Sequence, residues 1–486
     1  MSGWRWPASG PHVARLFHRL LALIFLDAFV SLGVQVHLLY GSRGLIPAAQ
    51  YVAEVHAQGL PFHQFPTLFW WGAGDGMLSL GIFAGIALSL LSLAGVAPRV
   101  CSGLATVLYL SFVTIGHTFM SFQWDNLILE CGFFAMFLPR DRKAPWIHVV
   151  FRLILFKLYW ESGIAKLQSH LGDWNDGSAM TFYYETAPLP TWMAWFAHQL
   201  PAWWHHLESW LTLGFELVLP FGIFAPRRVR LATAAFLTLF QIINAVTANY
   251  GFFCYLATVL HVFLLDDADV VRAGAWLRRK LARAPARELH ERPLAGWRRH
   301  LQLGTATILI AGFTVISTID GLVSFVDRKG LAELQPLREL YDPWRVVNTY
   351  HLFGHITRER IEVEPQTFDG ATWTAQDLKY KPGDPQRHAP FVAPHQPRVA
   401  FQLWFYGLDY ERRAPVYVIN LLDRMCNDPD AVDGLFRAPL PRKPNAVRLL
   451  FWQYHFTDWA QLRSTGAWWK RTKLAESRAI PCQSGK

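Results

Sequence analysis

DPWRVVNTYHLFGHITRERIEVE, residues 342–364, opens the stretch on which the reading of this chain turns. DGATW (369–373), LKYKPGDPQRHAPFVAPHQPR (378–398) and QLWF (402–405) follow it. The stretch is dense in Arg, Lys, His, Asp, Pro and Trp, yet it comes after a long run of membrane-like sequence. A polar module hung on a membrane body divides the labour. The body places the module, and the module meets something in water.

Composition supports the membrane body. Hydrophobic residues make up 52% of the 486, and charged residues only 17%, well below the quarter usual in soluble domains. Mean hydropathy is +0.16. The 22 Trp and 35 Phe fit a chain that works at membrane–water interfaces, where a ring can be half apolar and half wet. The formal net charge of +10 reads as loop bias of the positive-inside kind, and no basic, aromatic-interleaved motif points to nucleic acid.

Working outward, hydropathy predicts about nine spans, near 17–39, 68–95, 100–120, 124–139, 146–166, 205–224, 229–247, 251–266 and 301–325. The fourth and eighth are short. The first is too long for a signal-peptide core and no small-residue cleavage site follows it, so it reads as an uncleaved anchor. Loop cations alternate along the chain. Arg5, Arg15 and Arg19 come first, then Arg99, then Arg140, Arg142 and Lys143, then Arg227, Arg228 and Arg230. Arg278, Arg279, Lys280, Arg283, Arg298 and Arg299 form the largest cluster. With nine spans this pattern puts the N-terminus in the cytoplasm and the tail outside. The expected architecture is a polytopic α-helical membrane protein with a C-terminal β-rich extramembrane domain. Residues 1–326 form the helical domain, with an outer loop at 167–204, and residues 327–486 the extracytoplasmic one. Within the tail, Ile361 to Glu364 and Val447 to Phe456 read as strands, with a helix around 399–425. Trp192, Trp195, Trp203 and Trp204 read as an interfacial belt.

Ionisable groups inside membrane segments are costly, and each is a functional candidate. Asp27, Asp75, His117, Glu208, Glu216 and His261 qualify, as do Asp125, Glu130, Lys157, Glu161 and Lys166. Lys157 and Glu161 are four apart, share a helix face and can neutralise each other. Lys166, at the outer end of its span, either snorkels to the interface or faces a cavity as a base. Asp125 and Glu130, five apart, make no convincing acid/base pair alone. In the tail, KPGD (381–384) and PHQPR (394–398) read as tight turns that present Asp384, Arg387, His388, His395 and Arg398. The chain lacks GxSxG, which argues against a lipase. It also lacks HExxH, a P-loop and GxGxxG. Of the five cysteines, Cys101, Cys131 and Cys254 lie in apolar runs, whereas Cys426 and Cys482 can pair if the tail lies in an oxidising compartment. No spacing suggests a metal, and the sequence leaves any cofactor unknown.

These segments resemble the lipase maturation factor family along most of the chain. QWDNLILECGFFAMFLP (123–139), LFKLYWESGIAKLQS (155–169), DWNDGSAMTFYYETAPLPTWMAWFAH (173–198) and ANYGFF (248–253) are similar to its membrane and loop signatures. The 342–405 motifs, YHFT (454–457) and WWKR (468–471) are similar to its C-terminal domain. The resemblance implies a polytopic protein that helps dimeric secreted lipases fold, with its C-terminal domain on the lumenal side of the endoplasmic reticulum. The Ala/Arg-rich sequence reads as a bacterial member, which implies an inner-membrane location. A shorter resemblance, of GIAKL (163–167) with DW (173–174) and GSAM (177–180), is to vitamin K-dependent γ-carboxylase-like membrane proteins. It implies a catalytic base at Lys166, although that family has paired lysines where this chain has Ala165 and Lys166.

Two readings follow. In the first, the chain is a membrane-anchored, ATP-independent folding factor that binds secreted lipase-like clients. Tyr184, Glu185, Trp373, Tyr380, Asp384, His395, Arg398 and Trp404 are the candidate contacts. In the second, Lys166 acts with Asp125, Glu130 or Glu161 in an intramembrane enzyme, on a lipid-soluble cofactor or a lipid-linked substrate. A transporter is less favoured, because no internal repeat is found.

Overall fold

The computed structural model describes residues 10–280, 296–326 and 332–482. The principal helices of the body are α1 (Pro11–Gly33), α2 (Asp75–Ala94), α3 (Pro98–Gly116), α4 (Gln123–Ala135), α5 (Pro145–Leu167), α6 (Ala179–Thr186), α7 (Trp192–His198), α8 (Ala202–Leu217), α9 (Arg227–Thr247), α10 (Phe253–Leu260), α11 (Asp267–Lys280) and α12 (Gly296–Phe325). Short 3-10 turns extend α3 to Met120, α8 to Phe224 and α10 to Leu264. Proline at the first helical turn starts α1, α3 and α5, where its missing N–H costs nothing. Gly95, at φ 88°, stops α2 in the left-handed conformation.

Among the described residues, six helices are long and apolar enough to cross a membrane: α1, α2, α3, α8, α9 and α12. The nine spans expected from hydropathy thus reduce to six on length and composition. α5 has 23 residues, but it carries Arg152, Lys157, Glu161 and Lys166. α4 has 13 residues, and the run Phe253–Leu264 is also short. α5 is buried on nearly every side, from Ile147 and Val150 to Lys166. Its charges therefore meet neighbouring helices rather than lipid, which is what makes them tolerable. Small residues bring helices close. A Cβ on Gly85 of α2 would lie 2.4 Å from the ring of Phe29 on α1.

The bundle has a basic end. Arg15 Nε donates to Arg140 O (3.0 Å), Arg99 Nε to Met136 O (2.6 Å), Arg152 Nε to Phe263 O (2.8 Å) and Arg230 Nε to Leu264 O (2.9 Å). Asp267 accepts from the backbone N–H of Gly10 and Val13, capping α1 with a negative charge at its positive end. Of the loop cations named from the sequence, Arg5 and Arg283 lie outside the described residues, as do the side chains of Arg278, Arg298 and Arg299.

The C-terminal region is built on antiparallel strands β1 (Arg360–Phe368), β2 (Trp373–Ala375), β3 (Ala446–Phe456) and β4 (Trp469–Glu476), in the order β2-β1-β3-β4. A short β5 (Ile480–Pro481) pairs with β3. The runs read as strands lie in β1 and β3, which pair in register Val363 to Phe451. The single helix expected around 399–425 is in fact two, α13 (Arg398–Leu408) and α14 (Val416–Asn427). Pro415 caps α14, and it has no N–H with which to continue a helix from α13. α13 lies hard against β1, where a Cβ on Gly407 would come within 2.4 Å of Ile361 O. A disulfide joins Cys426, at the end of α14, to Cys482 beyond β5. The aromatic belt also needs correcting. Trp192 and Trp203 are exposed, but Trp195 is fully buried between Phe196, Trp459 and Trp468.

Candidate functional site

The segment between α12 and β1 is stitched to the bundle atom by atom. Its backbone cannot pair with a strand at this depth, so each polar group needs another partner. Lys157 Nζ donates to Asn348 O (2.8 Å), and Glu161 Oε2 accepts from Tyr350 N (2.9 Å). Gln123 Oε1 accepts from His351 N (2.9 Å), and Ser162 Oγ accepts from Leu352 N (3.3 Å). Lys166 Nζ donates to Leu352 O (2.7 Å), Trp174 Nε1 to Phe353 O (3.1 Å), and Asp173 Oδ2 accepts from Ile356 N (2.8 Å). Glu130 accepts from the Tyr350 hydroxyl and from Asn348 Nδ2 (3.3 Å). The costly ionisable groups of α4 and α5 thus face a polypeptide that needs them.

Lys157 and Glu161 lie 3.9 Å apart on one face of α5, as their spacing predicts. Lys166 does not snorkel. It is 1% exposed, ion-paired with Glu216 of α8 (2.7 Å), and its ammonium lies 5.1 Å over the ring of Trp174. It lines a cavity of ≈ 270 Å³ within the bundle. Asp125 is drawn instead into an ion pair with Arg398 at 2.8 and 2.9 Å, both groups buried. Arg398 also donates to Phe119 O (2.6 Å), and Tyr109 donates to Asp125 (2.6 Å). Asp125, Glu130, Glu161 and Lys166 therefore occupy one seam, but each has a different partner.

The candidate client contacts divide by depth. Tyr184 is buried and donates to Glu208 (2.9 Å). Glu185 is buried and accepts from Phe456 N (2.6 Å) and pairs with His455 (2.8 Å). His395 shares a hydrogen bond with Ser31 of α1 (2.9 Å). Burial, and secondarily the Arg398 charge, holds its pKa down at about 4. Nearer the surface, Tyr380 packs on His395, and Trp373 lies under the Arg448 guanidinium. Asp384 is exposed and accepts from Gln386 N. Trp404 donates to Thr186 O (2.9 Å) and, with Phe405, lines a cavity of ≈ 570 Å³ between the bundle and the C-terminal region.

Two family models cover the chain on either side of this seam. The lipase maturation factor transmembrane domain matches residues 12–272, and the lipase maturation factor C-terminal domain matches residues 346–479. The chain belongs to the lipase maturation factor family. It is a multi-pass membrane protein. Lipase maturation factor 1 of Bos taurus is 29% identical over 494 residues, which cover 94% of this chain and 86% of the bovine protein. Lipase maturation factor 2 of Homo sapiens is 29% identical over 595 residues, covering 98% and 82%. That of Gallus gallus is 28% identical, covering 95% and 80%. No solved structure matches the chain.

The seam thus joins the two regions that match the lipase maturation factor models, and it enlists residues that motif reading passes over. Asn249, within ANYGFF, clasps the 390–393 turn through Val392 N (2.7 Å), Ala393 N (2.9 Å) and Pro390 O (2.9 Å). Arg360, fully buried, donates to Glu185 O (3.0 Å) and Ala187 O (2.6 Å) and pairs with Glu362. Lys381 of the KPGD turn lies 2.9 Å from Glu362 and is 2% exposed. Burial lowers its pKa to about 8, against the raising effect of Glu362. None of the three stands out in the sequence, since Arg360 and Lys381 lie in polar stretches and Asn249 is a neutral amide; only burial shows that each needs a partner.

Proposed function

We propose that this lipase maturation factor relative is a membrane-anchored, ATP-independent folding and maturation factor for secreted lipases or similar clients. The names of its relatives supply the client class. The observation that carries the physical reading is the seam. Seven backbone groups from Asn348 to Ile356 are held by side chains of the bundle. A surface fixed in this way to an anchored body stays at the membrane face, where a newly translocated client emerges. The client-contact surface runs from Trp404, at the lip of the larger cavity, across Tyr380, Asp384 and Trp373. Tyr184, Glu185, His395 and Arg398 form the frame behind it. Contact with a folding intermediate has to be reversible, and a surface of aromatic anchors among polar groups suits fast release.

In this proposal the chain makes nine traverses. α4, α5 and the run Phe253–Leu264 cross within the shelter of the six apolar helices. Each of the three has one end among the basic-end contacts (Leu138, Arg152, Phe263) and the other at the seam. An odd count sets residues 1–326 in the membrane with the N-terminus in the cytoplasm of a bacterial inner membrane, and residues 327–486 outside. The Cys426–Cys482 pair supports an oxidising side for the tail.

The test is the specific activity of a secreted lipase from the native host, with and without this gene. A fall in activity per unit lipase protein, restored by the wild-type chain but not by a Trp404→Ala, Trp373→Ala double variant of equal abundance, supports the proposal. Unchanged specific activity in the deletion strain sinks it.

A further inference from the structure

We propose that the membrane bundle contains a lipid site. A slot between α8 and α9 takes one slender, uncharged amphiphile with a hydroxyl head, drawn sideways from the bilayer. The site is the ≈ 270 Å³ cavity whose floor includes Lys166. Its mouth is formed by Leu211 of α8 and by Leu239 and Ile243 of α9, which are 46%, 49% and 47% exposed. Both helices are apolar enough to cross the membrane, so these residues face acyl chains and the slot opens to lipid rather than to water. The wall behind the mouth is apolar, with Phe215 and Phe240 stacked at 5.5 Å.

Two features select the head. The first is Gln241, which is 3% exposed and lines the slot. Its amide nitrogen donates to Tyr159 Oη (2.8 Å), and its Oε1 has no hydrogen-bond partner among the described residues. Turning the amide over would leave the nitrogen in that position instead. A hydroxyl, which both donates and accepts, satisfies either arrangement once the amide swings its shielded end into the slot. Leaving such a group buried and unpaired is costly, and a ligand head relieves that cost. The second is charge. Lys166 is the one cation lining the slot among the described residues, and Glu216 and Leu352 O already hold it. Glu208 adds a second carboxylate, held by Tyr184 and His205. A fatty-acid carboxylate or a phosphate head finds two negative groups and no spare cation. A long-chain alcohol or acylglycerol meets no such penalty.

The experiment uses the full chain in phosphatidylcholine nanodiscs with a long-chain alcohol bearing a diazirine and an alkyne. Crosslinked peptides are mapped by mass spectrometry. The adducts are expected on α8 and α9, to be displaced by monooleoylglycerol and not by oleate. Gln241→Leu should weaken displacement about tenfold, the equivalent of one neutral hydrogen bond. Ile243→Trp, which fills the mouth from an exposed position, should abolish the α8 and α9 adducts without changing the melting temperature. Ile308→Trp, on the exposed face of α12, should leave them intact. Labelling spread over α2, α8, α9 and α12 in proportion to exposure would show annular lipid only and overturn the proposal. Equal competition by oleate, or labelling that survives Ile243→Trp, would overturn it too. None of these outcomes depends on lipase maturation.

Discussion

At the basic end of the bundle, arginines close helix ends that belong to the bundle itself. At the other end, lysines and carboxylates hold a segment that comes roughly 190 residues later in the chain. The chemistry is the same, a buried charge against a backbone group, worth more than a neutral hydrogen bond. Its consequence differs. A charge at the basic end steadies one helix junction, whereas a charge at the seam decides whether two regions move as one. The comparison teaches that the ionisable groups of α4 and α5 belong to assembly before they belong to chemistry.

The sharpest way to break this comparison is at Arg398 and Asp125, where α13 meets α3 and α4. Arg398→Met leaves the Asp125 carboxylate buried, with the Tyr109 hydroxyl as its remaining side-chain donor among the described residues. Removing one partner of a buried pair costs about 3–5 kcal/mol. The expected result is loss of the folded C-terminal region to limited proteolysis in detergent. The double variant Asp125→Leu, Arg398→Met should recover part of the loss, because no charge is then stranded. Equal losses in the single and double variants would mean that the pair's shape matters and its charge does not.

Next in size is Glu161→Gln. The amide keeps a carbonyl for Tyr350 N but gives up the charge that balances Lys157. A loss of about 1–3 kcal/mol is expected, seen most directly as faster hydrogen exchange at the Tyr350 and Leu352 amides. Arg230→Met, at the basic end, should cost a similar amount yet leave those two amides protected. If Arg230→Met also exposed them, the two ends would not be separable.

These residues show how far the sequence could be read. Hydropathy located the body, and the four-residue spacing of Lys157 and Glu161 predicted their shared face. The strand at Ile361 followed from alternation, and that at Val447 from its aromatic and aliphatic content. The seam itself was not legible. Its contacts join residues from 141 positions apart, at Asn249 and Pro390, to 279, at Phe119 and Arg398, and periodicity reports only on neighbours within a turn or two. Residues expected to meet a client, such as Glu185 and Arg398, look alike in one dimension whether they face water or a buried carboxylate. Trp195 shows the same limit: it sits in a run of interfacial tryptophans, and only the folded chain brings Trp459 and Trp468 around it. Hydropathy did mark α5 as a span, but its four charges keep it out of the six helices that qualify on length and composition.

A smaller effect is expected from acid at His395. Its ring is neutral in the folded state, with a pKa near 4 against an ordinary 6.5. The unfolded chain therefore binds more protons between those values, and stability falls as pH drops from 6.5 to 4. Above 6.5 the contribution of this histidine is complete and flat. His395→Asn should flatten the same window in a melting-temperature profile, because an amide keeps a hydrogen bond to Ser31 and does not titrate. A wild-type slope that persists in His395→Asn would assign the acid sensitivity to other groups.

The smallest effect is expected from a tether that spans the same two regions in water. Arg43, on the loop after α1, forms an ion pair with Asp428 beyond α14, and its side chain is 60% exposed. An exposed pair gives up side-chain freedom for an attraction that water and salt screen. Arg43→Gln should leave melting temperature and Tyr350 exchange unchanged at physiological salt. Arg43 and Arg398 both link body to tail, so number of links and depth of links make opposite forecasts. A loss at Arg43 comparable to that at Arg398 would mean that every bridge counts alike. No loss would mean that water exclusion, not charge pairing, gives the seam its hold.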